Sequence, residues 1–380
     1  MAHSGQSDLS KPCPPSYYGK PIQIGGELND CGLTDKSCSA LATVLGSDTN
    51  LKELSMSNNN LRDLGVKLLC TGLKNIKCHL EILRLSDCSI TEEGYKALSS
   101  ALRSNTSHLI ELDLTGNDPG QSGVKQLDDL LQDPDYQLKT LRFLGSAADE
   151  GCQYVRGIVG KNPLLLRELD LSNRKLGDTR VNQIAALLQD KHCTLNTLHL
   201  CGCSITEKQS LILTSALKSN SSHLRELNLS RNQIRNTGVN HLCDVLKDSD
   251  CKLERLRLGC CYMTDEACSA VTSALKSNPS HLRELDLSEN NLGDSGVKSL
   301  SDLLMNTQCK LQKLDLYNCG ITDVSSLAQS LRNTKALQFL KELDLRCNKI
   351  GDSKQRLIDV IRDSNCKLSS LLRPTQTCLN

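Results

Sequence analysis

Little in this chain favours one sign of charge. Among its 380 residues, 45 Lys and Arg face 44 Asp and Glu, for a formal net charge of +1. That balance excludes the uniformly basic surface that holds nucleic acid or anionic lipid. Long apolar runs are missing too. The first thirty residues hold none long enough for a signal peptide, and none elsewhere is long enough to span a bilayer. The expectation is therefore a cytoplasmic protein, monomeric in isolation, that acts without nucleic acid or membrane. Phosphate-binding machinery is also wanting. Gly160-Lys161 has Val155 where the upstream glycine should stand and Asn162 where Ser or Thr should follow. Cys201-x-Cys203 and Cys260-Cys261 lack companion thiols or histidines at zinc spacing, so neither cofactor nor metal is expected.

What the chain has is a period. Residues His281 to Leu304, HLRELDLSENNLGDSGVKSLSDLL, place Leu282, Leu285, Leu287 and Leu292 at positions 1, 4, 6 and 11 of an LxxLxLxxNxL unit, with Asn290 at position 9. Val297, Leu300, Leu303 and Leu304 then recur at helical spacing. The unit starts at Leu51, Leu80, Leu109, Leu138, Leu166, Leu195, Leu224, Leu253, Leu282, Leu311 and Leu340, in steps of 28 or 29 residues. This is a leucine-rich repeat array. It predicts an α/β solenoid, a horseshoe with a parallel β-sheet on its concave face and α-helices on its convex face. Each repeat touches only its neighbours, so the length argues for one elongated domain. The expected boundaries are a disordered tail over 1–21, a repeat domain over 22–372 and a short tail over 373–380. The first repeat is incomplete, with Gln23 and Gly26 in leucine positions.

Two unit types alternate. One has Asn at position 9 (Asn59, Asn117, Asn232, Asn290, Asn348), and the other has Cys there (Cys88, Cys203, Cys261, Cys319). The Cys units continue with Ile-Thr-acid, as at Ile90-Thr91-Glu92, which suggests Thr as the helix N-cap. The Asn units continue with Leu-Gly-Asp-Ser-Gly or a relative, a turn before a helix. Fourteen of the twenty cysteines fall in the register of the repeat, as small buried hydrophobes and weak donors. Free thiols and a reducing compartment follow as the expectation. Without a secretory signal, the sequons at Asn105, Asn220 and Asn228 read as chance. Two units break the alternation: Ser146 and Arg174 hold position 9, Phe143 replaces a leucine, and curvature should change there.

Alternate strand residues share a face, so positions 3, 5 and 7 look onto the concave surface. Glu111-Asp113, Glu168-Asp170, Glu284-Asp286 and Glu342-Asp344 come from Asn-like units, and Arg84, Arg142, Arg255-Arg257 and Lys313 from Cys-like ones. Strands about 4.8 Å apart should pair these charges across the face. Near the C-terminal end, Asp286, Asp315 and Asp344 follow one another in one column, with Glu284 and Glu342 beside them. Such like charges raise one another's pKa and favour a cationic partner. Together with Lys313, Arg346, Arg255, Arg257 and the aromatic Tyr317 they make the candidate partner-binding site. A Glu-x-Asp pair resembles a hydrolase acid/base couple, yet it recurs in four repeats, which one active site would not require. His79, His108, His223 and His281 each precede a strand's first leucine and are register residues. No catalytic residue is assigned, and a non-enzymatic role is expected.

The run LRELDLS, then NxLGDSGV, then CKLxxLxLxxCxIT resembles ribonuclease-inhibitor-type leucine-rich repeats over roughly residues 22 to 372. It looks closest to the C-terminal repeat region of NLR-family cytosolic innate immune receptors, and Ser146 to Ser172 is similar to a variant unit in them. The resemblance implies a horseshoe whose concave face senses a ligand or restrains a NACHT module. No NACHT module, phosphate loop or death-fold domain occurs in the 380 residues, so the chain is expected to be a fragment of such a receptor or a stand-alone repeat protein. Stoichiometric inhibition of a basic ribonuclease is the alternative. A GTPase-activating repeat protein ranks last, because the acidic tail usual in that family is missing.

Overall fold

The computed structural model describes residues 24–47, 50–104, 108–131, 138, 140–219, 223–278, 281–333 and 339–363. Both expected tails and the sequons at Asn105 and Asn220 lie outside that set. Twelve short parallel strands alternate with helices: β1 (Ile24–Glu27), β2 (Leu51–Ser55), β3 (Ile82–Arg84), β4 (Glu111–Asp113), β5 (Thr140–Arg142), β6 (Glu168–Asp170), β7 (Thr197–His199), β8 (Glu226–Asn228), β9 (Arg255–Arg257), β10 (Glu284–Asp286), β11 (Lys313–Asp315) and β12 (Glu342–Asp344). The leucine at position 4 meets its equivalent in the next strand, Leu256 with Leu285 and Leu285 with Leu314. These three are buried, and with the helix faces they form one apolar core along the array. The helices pack on their sequence neighbours, as a solenoid requires, except that Gly120–Leu131 meets the short helix Pro163–Leu165 more than it meets Ser146–Val159. No described helix is long and apolar enough to cross a membrane.

The Asn and Cys units differ because their side chains satisfy different groups. In the Asn unit, Asn117 Nδ2 donates to the carbonyls of Leu85 and Leu114 at 2.7 and 2.9 Å, while its Oδ1 accepts from Cys88 and Ile90 N–H at 2.9 and 3.0 Å. The amide thus closes its own turn and that of the preceding Cys unit. A Cys has less to do there. Cys88 Sγ donates to Met56 O at 3.3 Å, and burial pushes its thiol up to about 11, so the donor proton stays on. Cys203 and Cys261 likewise donate to Leu171 and Leu229 carbonyls, at 3.1 and 3.3 Å. Sixteen described cysteines are free. Cys347 is disulfide-bonded, which corrects the expectation of free thiols at that position.

Thr holds the N-cap at Thr34 and Thr264, as the sequence suggests, but elsewhere it shares the role. Thr91 does not close its helix alone, since Asp63 of the preceding Leu-Arg-Asp turn takes part, whereas Asp294 of Leu-Gly-Asp holds the turn that leads into the helix Ser325–Asn333. Asp63 Oδ1 accepts from Thr91 and Gly94 N–H at 2.8 and 3.0 Å, and Asp294 from Thr322 and Asp323 N–H at 2.8 Å each. A carboxylate at the positive end of the neighbouring helix complements its dipole.

The largest difference is in the sheet itself. The expected single sheet is two, β1–β5 and β6–β12, with no ladder between β5 and β6. The two irregular units lie at this joint. After β5 the chain enters the helix Ser146–Val159 with Gly145 at its N-cap, so the usual turn is absent. Position 9 of the next unit then has no preceding turn to close, and Arg174 there is exposed. Helix contacts replace the ladder. Gly151 lies so close to the helix Gly177–Gln189 that a Cβ would sit 2.3 Å from Gln183 O. Arg156 reaches Asp128 at 3.1 Å, and Gln121 Nε2 donates to Thr194 Oγ1 at 2.6 Å.

Candidate functional site

The concave columns run as the period requires. Arg255, Glu284, Lys313 and Glu342 form one row, and Arg257, Asp286, Asp315 and Asp344 the next, each residue in register with its neighbour. Tyr317 and Arg346 follow two positions after Asp315 and Asp344. The structure therefore gathers all ten sequence-derived residues on β9 to β12 and the residues just beyond. It also decides which charges are spent.

In the first row the signs alternate, but only Lys313 and Glu342 pair within it, Nζ lying 2.9 Å from the carboxylate; Glu284 instead meets Arg257 of the second row, whose Nη2 lies 3.8 Å away. Asp344 accepts from Arg346 Nε at 3.0 and 2.9 Å. Burial pushes the Asp344 carboxyl up, but these bonds and the Arg346 charge outweigh it and hold it below the ordinary carboxylate value. The expected mutual elevation therefore does not occur at Asp344. It does occur at Asp315, whose carboxyl is pushed up to about 6, first by burial and then by Asp286 and Asp344, against a hydrogen bond from Tyr317 N–H at 3.0 Å. Asp286 accepts from Ser288 N–H and Oγ at 2.9 and 2.6 Å. Asp286 and Asp315 have no basic side chain within salt-bridge distance among the described residues. Tyr317 is half-buried, with Arg346 Cζ 6.0 Å from its ring centre.

A raised carboxyl pKa makes stability fall with pH. The folded state holds the Asp315 proton more tightly than the unfolded chain, so ionisation opposes folding above about pH 6 and not below about pH 4. Asp315→Asn should raise stability at pH 7.5 by about 1–2 kcal/mol, after discounting a shift of about two pH units for solvent screening. At pH 4 the gain should vanish. Urea unfolding at the two pH values measures it, and equal gains at both would sink the assignment.

One acid of this charge network escaped sequence reasoning. Glu226, 7% exposed, accepts from Arg255 Nε at 2.6 Å and from Arg257 Nη1, and faces His199 Nε2 at 3.2 Å. Burial pushes its carboxyl up, but Arg255 and Arg257 hold it below its ordinary value. Its unit has Asn228 where the Glu-x-Asp pattern has Asp, so the pattern search passed over it. The register, Glu226 beside Arg255, was the signal available. In the other sheet the expected cross-face pairing appears as Arg84 between Glu53 and Glu111, with Arg142 Nη1 3.8 Å from Glu111.

Family models described as leucine-rich repeats match residues 47–70, 77–99, 220–243 and 278–301 singly, and residues 309–355 as a pair of copies. The ribonuclease inhibitor of Sus scrofa is 36% identical over 349 residues, 91% of this chain and 75% of that protein. NACHT, LRR and PYD domains-containing protein 12 of Homo sapiens is 38% identical over 241 residues, and protein 3 of Rattus norvegicus 33% over 239. Each covers 63% of this chain, which spans 22% and 23% of those proteins' lengths. The twelve parallel strands, the Asn and Cys turns they share and these matches have one meaning: the chain belongs to the leucine-rich-repeat family of ribonuclease-inhibitor type.

Proposed function

We propose that the chain is a protein-interaction scaffold whose second sheet docks a partner on its concave face, in the manner of the repeat region of a NACHT-containing receptor. The carrying observation is the division of charge on β9 to β12. The basic side chains there are taken up by Glu226, Glu284, Glu342 and Asp344, leaving Asp286 and Asp315 without a cation. That surface suits a partner with a basic face. The repeat matches to the two NACHT proteins support the receptor reading. Coverage of three quarters of a ribonuclease inhibitor favours a second one, direct inhibition of a ribonuclease.

One experiment addresses both. Wild-type protein and an Asp286→Lys/Asp315→Lys variant are immobilised and exposed, in separate arms, to cytosolic extract and to bovine pancreatic ribonuclease. A NACHT-containing protein retained by the wild type and lost from the variant supports the receptor role. Stoichiometric loss of ribonuclease activity with the wild type alone supports the inhibitor role. A partner held equally by both proteins would show that docking does not use this face.

A further inference from the structure

Four tyrosines lie in the described residues, and three have a place in the fold. Tyr95 is buried, Arg180 Cζ stands 4.3 Å from the Tyr154 ring centre, and Arg346 covers Tyr317. Tyr262 is different. It is 64% exposed, and no cation of the described residues sits over its ring. It occupies position 10 of its unit, on the rim just past β9, near the middle of the second sheet. Its backbone is left-handed, with φ of 59°. Other Cys units also adopt this conformation at position 10 but use small residues there: Gly32, Ser89, Ser204 and Gly320. A bulky aromatic in this region is a backbone outlier and is strained. The fold gains little packing in return, since most of the side chain is left to solvent.

We propose that Tyr262 and Glu289 form a rim receptor for an arginine or lysine side chain of the docked partner. The proposal rests on the docking reading above and adds a specific anchor to it. Glu289 lies in the equivalent loop of the next unit and is exposed. The two loops are tied by Cys260 N–H donating to Ser288 O at 2.8 Å and Asn291 N–H donating to Met263 O at 3.0 Å. A cation between them gains the face of the ring and a carboxylate at once. Arg231, exposed in the loop on the other side and bonded through its N–H to Gly259 O at 2.8 Å, repels that cation and directs it towards Glu289. Asp286 ends β10, the strand that leads into the Glu289 loop, so rim and concave face select the same class of partner, a basic protein.

The test separates ring, backbone and acid, with bovine pancreatic ribonuclease and hen lysozyme as basic protein probes. Tyr262→Ala should weaken binding about 10- to 30-fold, the range of a desolvated cation–π contact. Tyr262→Phe should stay within about 2-fold, because the ring face remains. Glu289→Gln should weaken binding severalfold and flatten its salt dependence. Tyr262→Gly should raise the thermal midpoint while losing binding, since glycine relieves the strain. Wild-type affinity in Tyr262→Ala, with binding abolished in Asp286→Lys/Asp315→Lys, would overturn the rim receptor and leave concave docking intact. Failure of the wild type to bind either probe would overturn both.

Discussion

Asn290→Ala is expected to destabilise its sheet by about 3–5 kcal/mol, because it strands several buried groups at once. Asn290 Oδ1 accepts from Cys261 and Met263 N–H at 3.0 Å each, and Nδ2 donates to the carbonyls of Leu258 and Leu287 at 2.8 and 2.9 Å. The residue is 4% exposed, so water does not readily replace these partners. Two turns lose their closure, one on each side of β10. Asn290→Cys should fall between wild type and Asn290→Ala. A thiol can donate to a carbonyl, as Cys261 does to Leu229 O, but it accepts the two N–H groups poorly. Denaturant midpoints of the three proteins decide it. Equal midpoints for Asn290→Ala and Asn290→Cys would mean that the carbonyl bonds contribute nothing.

Leu285→Ala should cost about 2–5 kcal/mol through lost apolar transfer and the cavity left behind. Leu285 is 1% exposed and lies in register between Leu256 and Leu314, both fully buried. Neighbouring repeats cannot close over the space without breaking their own ladders. Leu285→Met, which conserves volume, should cost less than about 1.5 kcal/mol. In a solenoid the damage should stay near β9 to β11, so amide exchange there should rise while β1 to β3 stay protected. Uniform acceleration along the chain would instead identify the array as one cooperative unit.

Much of this architecture is legible in the sequence because it is periodic. A unit of 28 or 29 residues with Leu at positions 4 and 6 sets strand register, and register sets which residues share the concave face. The ten site residues fall together on β9 to β12 for that reason. The pairing of charges is not periodic. Arg257 stands in register with Asp286 but turns to Glu226 and Glu284, and Asp344 is taken by Arg346 from its own unit. A long basic side chain reaches acids on either side, and burial of Glu226 settles the competition in its favour.

The repeat, its alternation of Asn and Cys and the parallel face were determined by the sequence alone, since each follows from residues one unit apart. The break between β5 and β6, the aspartate that caps the next unit's helix and the strained exposure of Tyr262 were decided by tertiary structure. Each depends on what the adjacent unit offers: an absent turn beside Arg174, an N-terminal helix end beside Asp63, a left-handed rim at Tyr262. Register places side chains in columns, but which partner each one takes is settled by competition among neighbours for the same buried donors, acceptors and charges.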